Sequence, residues 1–393
     1  MEYRSFGNTG LDMPLITCGG MRFQYKWKDL KADQIPEDVQ KKLESSMWHA
    51  LECGVIHFET ARGYGSSEVQ MGMVLPKMNR DQILVQTKVG PTDNPREFLA
   101  QFDQSLRNLN LEYVDLLAIH GINDSTTLHQ SLRDGGCLEM ARRLQSQGRA
   151  RYVGFSTHAP LDIILQAIET GGFDYVNLHW YFVNQSNREA LEEAQRRGMG
   201  VLIISPNDKG GKLYEPSDKL LRLCAPLHPM EFNDLFTWSH PAVHTLSMGL
   251  SRKEDLDLHV QALQGRSNPE QVDAIAGRLH AEMIHMLGED WCLHWDEGLP
   301  VWEAVPGGVN IREILRLWTW AKGLDMVGYG KMRYNLLGNG GHWFPGNKAA
   351  VVHDEAIRRA CHSNRFSSDI PGILREAHEL FNEVDRKRLS QSD

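Results

Sequence analysis

Closely spaced cysteines are missing from this sequence. Its six cysteines lie far apart, and no two of them form a Cys-x2-Cys pair. The six are Cys18, Cys53, Cys137, Cys224, Cys292 and Cys361. Zinc ribbons, dithiol redox motifs and disulfide frameworks all depend on short, regular cysteine spacings. The spacing argues against these classes and indicates a cytoplasmic protein with reduced thiols.

Long apolar runs and an excess of positive charge are also missing. No window approaches the roughly 20 consecutive apolar residues that a membrane-spanning helix needs. The opening residues MEYRSFGNTG carry no apolar signal core. The formal net charge of −9 disfavours nucleic acid and membrane surfaces as partners. We therefore expect a cytoplasmic globular protein with neither kind of partner, and a homo-oligomer stays open.

Eight short apolar runs before about residue 260 have the pattern of buried strands. They are LITCGG, VIHFETA, ILVQTKV, VDLLAIH, RYVGFSTH, DYVNLHW, VLIISP and HTLSMG. Helical periodicity separates most of them, as between Phe98 and Leu109, where apolar residues recur every three or four positions. Eight strands joined by helical crossovers predict an α/β fold, a (β/α)₈ TIM barrel. A doubly wound open sheet is the alternative.

The two ends of the chain differ from this alternation. The opening segment EYRSFGNTGLDMPL predicts a hairpin that turns at Asn8–Gly10 and caps the barrel bottom. After the eighth run, the polar segment QGRSNPEQ predicts a linker. The remainder has a helical pattern and is rich in tryptophan. We therefore predict a barrel domain over residues 1–265 and a helical domain over residues 275–393.

Ionisable residues follow three successive apolar runs. Glu59 ends the second run with Tyr64 close behind, Lys88 falls near the end of the third, and His120 ends the fourth. In a parallel barrel these positions converge on one mouth. An ammonium such as Lys88 stabilises the phenolate of Tyr64, whose free pKa is about 10, and a carboxylate such as Glu59 keeps that ammonium charged. His120 can orient a carbonyl. The set suits protonation of a carbonyl oxygen while a hydride reaches its carbon.

The motifs around these residues resemble the aldo-keto reductase family. They are FETARGYGSSE, VQTKVG, VDLLAIHG, GRARYVGFSTH and HPAVHTLSMGLSRKEDL. The resemblance implies a barrel oxidoreductase that moves a hydride between a nicotinamide cofactor and a small carbonyl or alcohol substrate. It implies that Tyr64 is the proton donor, Lys88 its modulator and His120 the residue that orients the substrate. The family's aspartate is Glu59 here, one methylene longer.

The same resemblance implies a cofactor site. At the nicotinamide end Ser156 matches the family, Thr157 replaces its asparagine and Asn177 its glutamine, and the aromatic residue that stacks on the ring becomes Ile204. The remaining expected contacts are Ser205, Asn207, Gly249, Ser251 and Arg252. Arg252 favours the 2′-phosphate of NADP, whereas Asp255 opposes it. The resemblance therefore implies NADP, with NAD as the other candidate.

The C-terminal part resembles a ferredoxin-like extension found on one branch of the family. The motifs are PGGVNIREILRL, DMVGYGKMRYNLLGNGGHWFPG and SSDIPGILREAHELF. In that branch two cysteine runs hold iron–sulfur clusters. The eight matching positions are Trp295, Gly298, Val301, Val305, Asp354, Ile357, Ala360 and Asn364, and none is cysteine. We expect no iron–sulfur cluster and no other metal site. Tryptophans could stabilise this region instead, namely Trp291, Trp295, Trp302, Trp318, Trp320 and Trp343.

Two other functions stay open from the sequence. One is an epimerase that keeps its cofactor bound through oxidation and reduction. The other is a cofactor-sensing or interaction protein without catalysis, which the changed nicotinamide contacts favour. Tyr64, Lys88 and His120 favour catalysis.

Overall fold

The structure, a computed structural model, describes residues 1–338 and 345–384. Ten strands lie in this part of the chain. They are β1 Tyr3–Ser5, β2 Asp12–Pro14, β3 Ile16–Gly19, β4 His57–Glu59, β5 Leu84–Val89, β6 Val114–His120, β7 Ala150–Ser156, β8 Tyr175–Leu178, β9 Gly200–Ile204 and β10 Thr245–Gly249. Strands β3 to β10 are the eight predicted from the apolar runs.

Helices connect the strands and make up the C-terminal part. They are α1 Glu37–Glu52, α2 Ser67–Gly72, α3 Pro95–Leu109, α4 Ser125–Leu132, α5 Cys137–Ser146, α6 Leu161–Glu169, α7 Arg188–Arg196, α8 Asp218–Cys224, α9 Pro229–Ser239, α10 Asp257–Ala262, α11 Pro269–Leu287, α12 Glu289–His294, α13 Ile311–Leu324, α14 Val327–Tyr334, α15 Asp354–Ala360 and α16 Ile370–Phe381. Among the described residues, no helix combines the length and the apolar character needed to cross a membrane.

The chain divides into two compact units. The barrel unit comprises Met1–Gly210 and Asn233–Ser267. The helical unit comprises Gly211–Phe232 and the described residues from Asn268 onward. The segment Gly211–Phe232 lies within the span predicted for the barrel, yet it groups with the helical unit.

Eight parallel strands close the barrel in the order β10-β3-β4-β5-β6-β7-β8-β9. The predicted (β/α)₈ barrel is therefore confirmed, and the open sheet is excluded. The apolar composition of the strands fits this arrangement. Each strand is covered by helices on one side and by the barrel interior on the other, so both of its faces are buried. All residues of β5 are buried, and in β6 all but the last, His120.

The N-terminal hairpin closes the amino end of the barrel. Strands β1 and β2 pair antiparallel, and Gly10 takes the positive φ that the turn requires. Phe6 is fully buried, and a Cβ on Gly200 would come within 2.6 Å of its ring. Phe6 shares a cluster with Leu11, Met13, Leu84, Leu116, Ala118 and Tyr175. Since Leu84 and Tyr175 begin their strands, the hairpin lies at the end opposite the expected active site.

The helical unit contains no strand within its described residues, only an isolated bridge between Val309 and Asn347. Its core includes Trp291, whose ring lies 5.3 Å from that of Trp318 and whose Nε1 donates to Thr319 Oγ1 at 3.0 Å. Trp295, Trp302 and Trp320 are partly exposed. Trp343 lies outside the described residues. Two of the six tryptophans therefore supply buried apolar area in the way the sequence predicts.

Candidate active site

The four residues predicted for catalysis meet at the carboxyl end of the barrel. Glu59 is the last residue of β4, Lys88 lies one residue before the end of β5, and His120 ends β6. Tyr64 lies in the loop between β4 and α2. Strands β4, β5 and β6 are neighbours in the barrel and run parallel, so their ends share one rim.

A buried ion pair forms the base of this site. The Lys88 side chain is only 1% exposed, and its Nζ donates to Glu59 Oε2 and, at 2.9 Å, to the backbone oxygen of Thr60. Burial by itself lowers the pKa of Lys88, but the Glu59 carboxylate and the Tyr64 hydroxyl outweigh it and raise that pKa above its usual value. Lys88 is therefore a fixed cation at neutral pH.

The Glu59 carboxylate has a second partner that the sequence analysis did not identify. Ser247 of β10 donates from Oγ to Glu59 Oε1 at 2.8 Å. Gly19, at the end of β3, makes room for both, since a Cβ there would lie 2.7 Å from Ser247 Oγ and 3.3 Å from Glu59 Oε1. The glycine pair that ends LITCGG was the available signal. Because Gly19 has no side chain, it leaves space for the glutamate, which is one methylene longer than the family's aspartate.

Tyr64 lies between the ion pair and the histidine. Its hydroxyl is 3.4 Å from Lys88 Nζ, which also lies 4.8 Å from the centre of the phenol ring. The Tyr64 and His120 rings meet edge to face with centroids 5.5 Å apart. Burial raises the pKa of Tyr64, and although Lys88 lowers it, the pKa stays above the usual value. The phenol is therefore protonated at neutral pH.

A neutral polar layer lies beneath Glu59 inside the barrel. His57, two residues earlier on β4, is fully buried and its Nδ1 lies 2.7 Å from Thr17 Oγ1, which in turn is 2.8 Å from Thr245 Oγ1. Burial, together with the charge on Lys88, lowers the pKa of His57 to about 3. His57 is therefore uncharged and adds no second cation beneath Lys88.

The residues predicted for the nicotinamide end lie on the next strands. Ser156 pairs in register with His120 on one side and with Asn177 on the other, so all three lie at one height. Among the described residues, both polar atoms of the buried Asn177 amide lack a hydrogen-bond partner. The Thr157 hydroxyl, by contrast, donates to Ile122 O at 2.7 Å. Asn177 is thus suited to pair with another amide, whereas the Thr157 hydroxyl is already bonded to the loop that follows β6.

The loop after β9 carries the next predicted contacts. Ser205 has a positive φ of 54°, which turns the chain sharply at the rim. Asn207 Nδ2 lies 2.9 Å from His259 Nε2, and His259 Nδ1 contacts the buried Asp234. Asn207 is therefore fixed by a histidine and a carboxylate that the sequence analysis did not identify.

The last predicted contacts lie at the end of β10 and just after it, and they are exposed. Gly249 lies under Arg22, because a Cβ there would be 3.1 Å from the Arg22 side chain. The backbone N–H groups of Ser251 and Arg252 donate to Asp255 Oδ2 at 2.8 and 3.2 Å. The Arg252 side chain is 74% exposed, and its Nε donates to Asp255 Oδ1 at 3.0 Å. The arginine predicted to bind a 2′-phosphate is thus paired with a carboxylate of its own turn.

Metal-ligand chemistry finds no support in the described part of the chain, where no group of three or more His, Cys, Asp or Glu side chains is arranged to hold an ion. Cys292 is partly exposed and Cys361 is buried.

Comparison with known proteins identifies the family. Residues 15–225, more than half of the chain, match the Aldo/keto reductase family. The chain therefore belongs to this family, whose members are oxidoreductases that act on carbonyl substrates.

The individual relatives have low sequence identity to this chain. The chain is 28% identical over 233 residues to L-glyceraldehyde 3-phosphate reductase of Escherichia coli (strain K12), a match that covers 53% of this chain and 62% of the relative. It is 28% identical over 220 residues to L-galactose dehydrogenase of Arabidopsis thaliana, covering 52% and 65%. The chain thus spans less than two thirds of these relatives.

A solved structure shares the fold. The aldo-keto reductase AKR11C1 from Bacillus halodurans, in its holo form, superposes with a TM-score of 0.60 at 20% identity. The match covers 71% of this chain and 96% of that one.

Proposed function

We propose that the barrel unit catalyses reversible, nicotinamide-dependent reduction of a small carbonyl compound, with Tyr64 as the proton donor. One observation carries the proposal, the Tyr64 hydroxyl 3.4 Å from the Nζ of the buried Lys88; the pKa of Lys88 is raised by Glu59 and Tyr64, which favours its charged form, and the pKa of Tyr64 is raised by burial, which favours its protonated form. A phenol in this position can donate a hydrogen bond to a carbonyl oxygen and then its proton as negative charge develops on that oxygen. Lys88 stabilises the phenolate that remains.

The other residues of the site support this proton transfer. Glu59 and Ser247 hold the Lys88 ammonium in one place, so its charge does not have to reorganise during the reaction. The His120 ring, edge to face with Tyr64, directs the carbonyl toward the phenol. A reduced nicotinamide, when bound, would supply the hydride.

The residues present fit a nicotinamide dinucleotide in part. The unpartnered Asn177 amide would hold the carboxamide with help from Ser156, and Ile204 would provide an aliphatic face for the ring. We propose NADP as the cofactor because Arg252 belongs to the segment that matches the family's adenosine-binding segment, and its guanidinium suits a 2′-phosphate. NAD is the second candidate, since Asp255 partly neutralises Arg252.

The helical unit is, in our proposal, a ferredoxin-like extension that has replaced its clusters with protein contacts. In two-cluster ferredoxins the fourth cysteine of one run ligates the other cluster. Asn364 occupies the fourth position of the second run, and its Nδ2 donates to the first run, to the backbone oxygens of Trp295 and Glu297 at 3.0 and 2.7 Å. Val305, fourth in the first run, is 4% exposed.

Metal analysis tests this replacement. Protein purified without oxygen should contain neither iron nor acid-labile sulfide, because the expected ligand positions carry no thiol. About four iron atoms per chain would contradict the assignment of these positions, since four is the number in one cubane cluster.

The direct test of the catalytic proposal separates binding from turnover. NADPH and NADH are titrated into the wild-type protein by fluorescence, and small aldehydes and ketones are then added to whichever cofactor binds. We expect steady cofactor oxidation in the wild type, and in Tyr64→Phe unchanged cofactor binding with turnover lowered by at least about a hundredfold.

A second candidate function has one observation in its favour. The Thr157 hydroxyl is engaged by Ile122, so it is not positioned to hold the cofactor carboxamide as the family's asparagine would. Tight cofactor binding by the wild-type protein, without oxidation by any carbonyl compound, would support a non-catalytic cofactor sensor.

A further inference from the structure

Part of the segment between β3 and α1 lies against the loop between β4 and α2, which carries the proposed proton donor. We call residues Lys26–Asp29 the Trp27 segment. The Ser66 N–H donates to the Lys26 backbone oxygen at 3.0 Å, and the Lys26 N–H donates to Ser66 Oγ at 3.2 Å. Gly65 has a φ of 53°, and a Cβ there would lie 2.1 Å from the Lys26 oxygen. The two loops are therefore in direct backbone contact.

An ion pair fastens the end of the Trp27 segment to the same loop. Arg62 Nη1 donates to Asp29 Oδ1 at 2.7 Å and Arg62 Nη2 donates to Asp29 Oδ2, so the contact is bidentate. Such forked pairs fix a geometry as well as adding energy. The Arg62 side chain is only 17% exposed, and it also lies 4.0 Å from the buried Glu68. Since Arg62 precedes Tyr64 by two residues, the ion pair holds the Trp27 segment against the turn that carries the phenol.

The Trp27 ring lies beside that phenol. Trp27 and Tyr64 meet edge to face, with ring centroids 6.4 Å apart and ring planes at 86°. Both side chains are partly exposed. The Tyr64 ring thus has two aromatic neighbours, Trp27 from the loop after β3 and His120 at the end of β6. An apolar group attached to a carbonyl that binds at Tyr64 can therefore pack on the exposed part of the indole.

The ion pair lowers the entropic cost of using this tryptophan. A loop side chain that moves freely loses conformational entropy when a ligand immobilises it, whereas one that is already held loses little. Asp29 is on an exposed loop, but its partner Arg62 is anchored to the barrel, because the Arg62 backbone N–H donates to the Lys88 backbone oxygen at 2.9 Å. Trp27 is thus held beside Tyr64 by the barrel itself.

We propose that Trp27 determines substrate specificity by selecting carbonyl compounds that carry an apolar, above all an aromatic, substituent. This inference rests on the proposed carbonyl reduction. Trp27 contacts the substituent, whereas Arg62 and Asp29 act through Trp27 and are positioning residues.

The test compares propanal with 3-phenylpropanal, two aldehydes that share the reacting group and differ by a phenyl ring. The variants are Trp27→Ala, Asp29→Asn, Asp29→Glu and the double variant of Trp27→Ala with Asp29→Asn. Asp29 is the member of the ion pair that is replaced, because Arg62 also faces the buried Glu68. Asp33→Asn is the matched control, the same substitution at an exposed position four residues further on in the same connection. For each variant kcat and KM are measured with both aldehydes, and NADPH affinity is measured by fluorescence.

The wild type should reduce both aldehydes. Trp27→Ala should lower the ratio of kcat/KM for 3-phenylpropanal to that for propanal by about two- to tenfold, the range of an aromatic contact. Asp29→Asn should lower the same ratio by up to about fivefold, the range of an exposed ion pair, through a higher KM for 3-phenylpropanal at unchanged kcat. Asp29→Glu should restore most of the ratio, Asp33→Asn should resemble the wild type, and NADPH affinity should stay constant throughout. The double variant should be no worse than Trp27→Ala, because the ion pair acts through the indole.

An unchanged ratio in Trp27→Ala, or a wild type that reduces propanal and not 3-phenylpropanal, would overturn the role of Trp27. Additive losses in the double variant, or an equal loss in Asp33→Asn, would overturn the positioning role of the ion pair. A wild type that binds NADPH and reduces neither aldehyde would instead refute the proposed carbonyl reduction, so the two failures are distinct.

Discussion

The barrel unit and the helical unit differ at the positions where their family resemblance expects chemistry. In the barrel unit the ionisable groups remain, and even the change from aspartate to Glu59 preserves the contact with Lys88. In the helical unit none of the eight positions at which the resemblance to a ferredoxin-like extension expects a ligand carries a thiol; Asn364 donates two hydrogen bonds there and Val305 is buried. On our proposal that the helical unit is a ferredoxin-like extension, its helices have been kept although the cluster ligands have not.

Removing the proton donor should have the largest effect on the barrel side of this comparison. Tyr64→Phe should lower kcat/KM by about 10²–10⁴-fold, the usual contribution of general acid catalysis, while cofactor affinity stays constant. Steady-state kinetics and cofactor titration measure the two effects. Tyr25→Phe, at a tyrosine that is 41% exposed, is the control. Full turnover by Tyr64→Phe would remove this residue as the donor.

The buried ion pair should be the next most sensitive feature. Glu59→Ala should lower the free energy of unfolding by about 3–5 kcal/mol, because it leaves the buried Lys88 ammonium without its counter-charge. Glu59→Asp should cost less, since the charge remains. Urea unfolding of both variants measures the difference. If the two substitutions destabilise equally, side-chain length and not charge is what the site requires.

Acidic pH should lower the free energy of unfolding of the barrel through the buried His57. The pKa of His57 is about 3 in the folded barrel and about 6.5 when unfolded. The unfolded chain therefore binds the extra proton, and the unfolding free energy should fall as the pH drops below about 6.5, by up to about 1.4 kcal/mol per pH unit. His57→Gln should flatten this slope in unfolding measured across pH. A wild-type slope retained in the variant would assign the acid sensitivity to other groups.

In the helical unit the expected effect is smaller and local. Asn364→Ala should destabilise the unit by about 1–3 kcal/mol, because two backbone oxygens lose their buried donor. Peptide-resolved hydrogen exchange should then show faster exchange around residues 295–298. Ser363→Ala, at the exposed neighbouring residue, is the control. Unchanged protection would mean that Asn364 does not hold the two predicted runs together.

The smallest expected effect is a change in the relative affinity for NADPH and NADH. Asp255→Asn keeps an oxygen for the Ser251 and Arg252 backbone N–H groups but removes the charge that opposes a 2′-phosphate. NADPH should bind more tightly relative to NADH by no more than about fivefold, the range of an exposed ion pair. Fluorescence titration of both cofactors measures the ratio. A parallel change for both cofactors would place Asp255 away from the 2′ position.

The fold was predictable from the sequence because the strands of a parallel barrel are buried on both faces. Such strands appear as apolar runs, and the ionisable residue that ends a run marks the mouth, as Glu59 and His120 do. Phe98 to Leu109 likewise predicted α3, whose bounds are Pro95–Leu109.

Contacts between distant strands could not be read in the same way. Ser247 lies 188 residues after Glu59 in the sequence. Its place in β10 does not show which carboxylate its hydroxyl binds. The pairing of Arg252 with Asp255 of the same turn depends on how the loop after β10 folds at the rim. Such contacts depend on side-chain directions that only the closed barrel defines.

Transfer of a deuteride from reduced cofactor labelled at its hydride-donating carbon is the most direct test of carbonyl reduction by this protein. The wild-type protein is mixed with labelled NADPH and a small aldehyde in a single turnover, and the alcohol product is analysed by mass spectrometry. We predict deuterium on the former carbonyl carbon in the wild type, and formation of the same labelled alcohol at least about a hundredfold more slowly with Tyr64→Phe. Labelled cofactor that binds the wild-type protein and remains unoxidised would contradict this prediction.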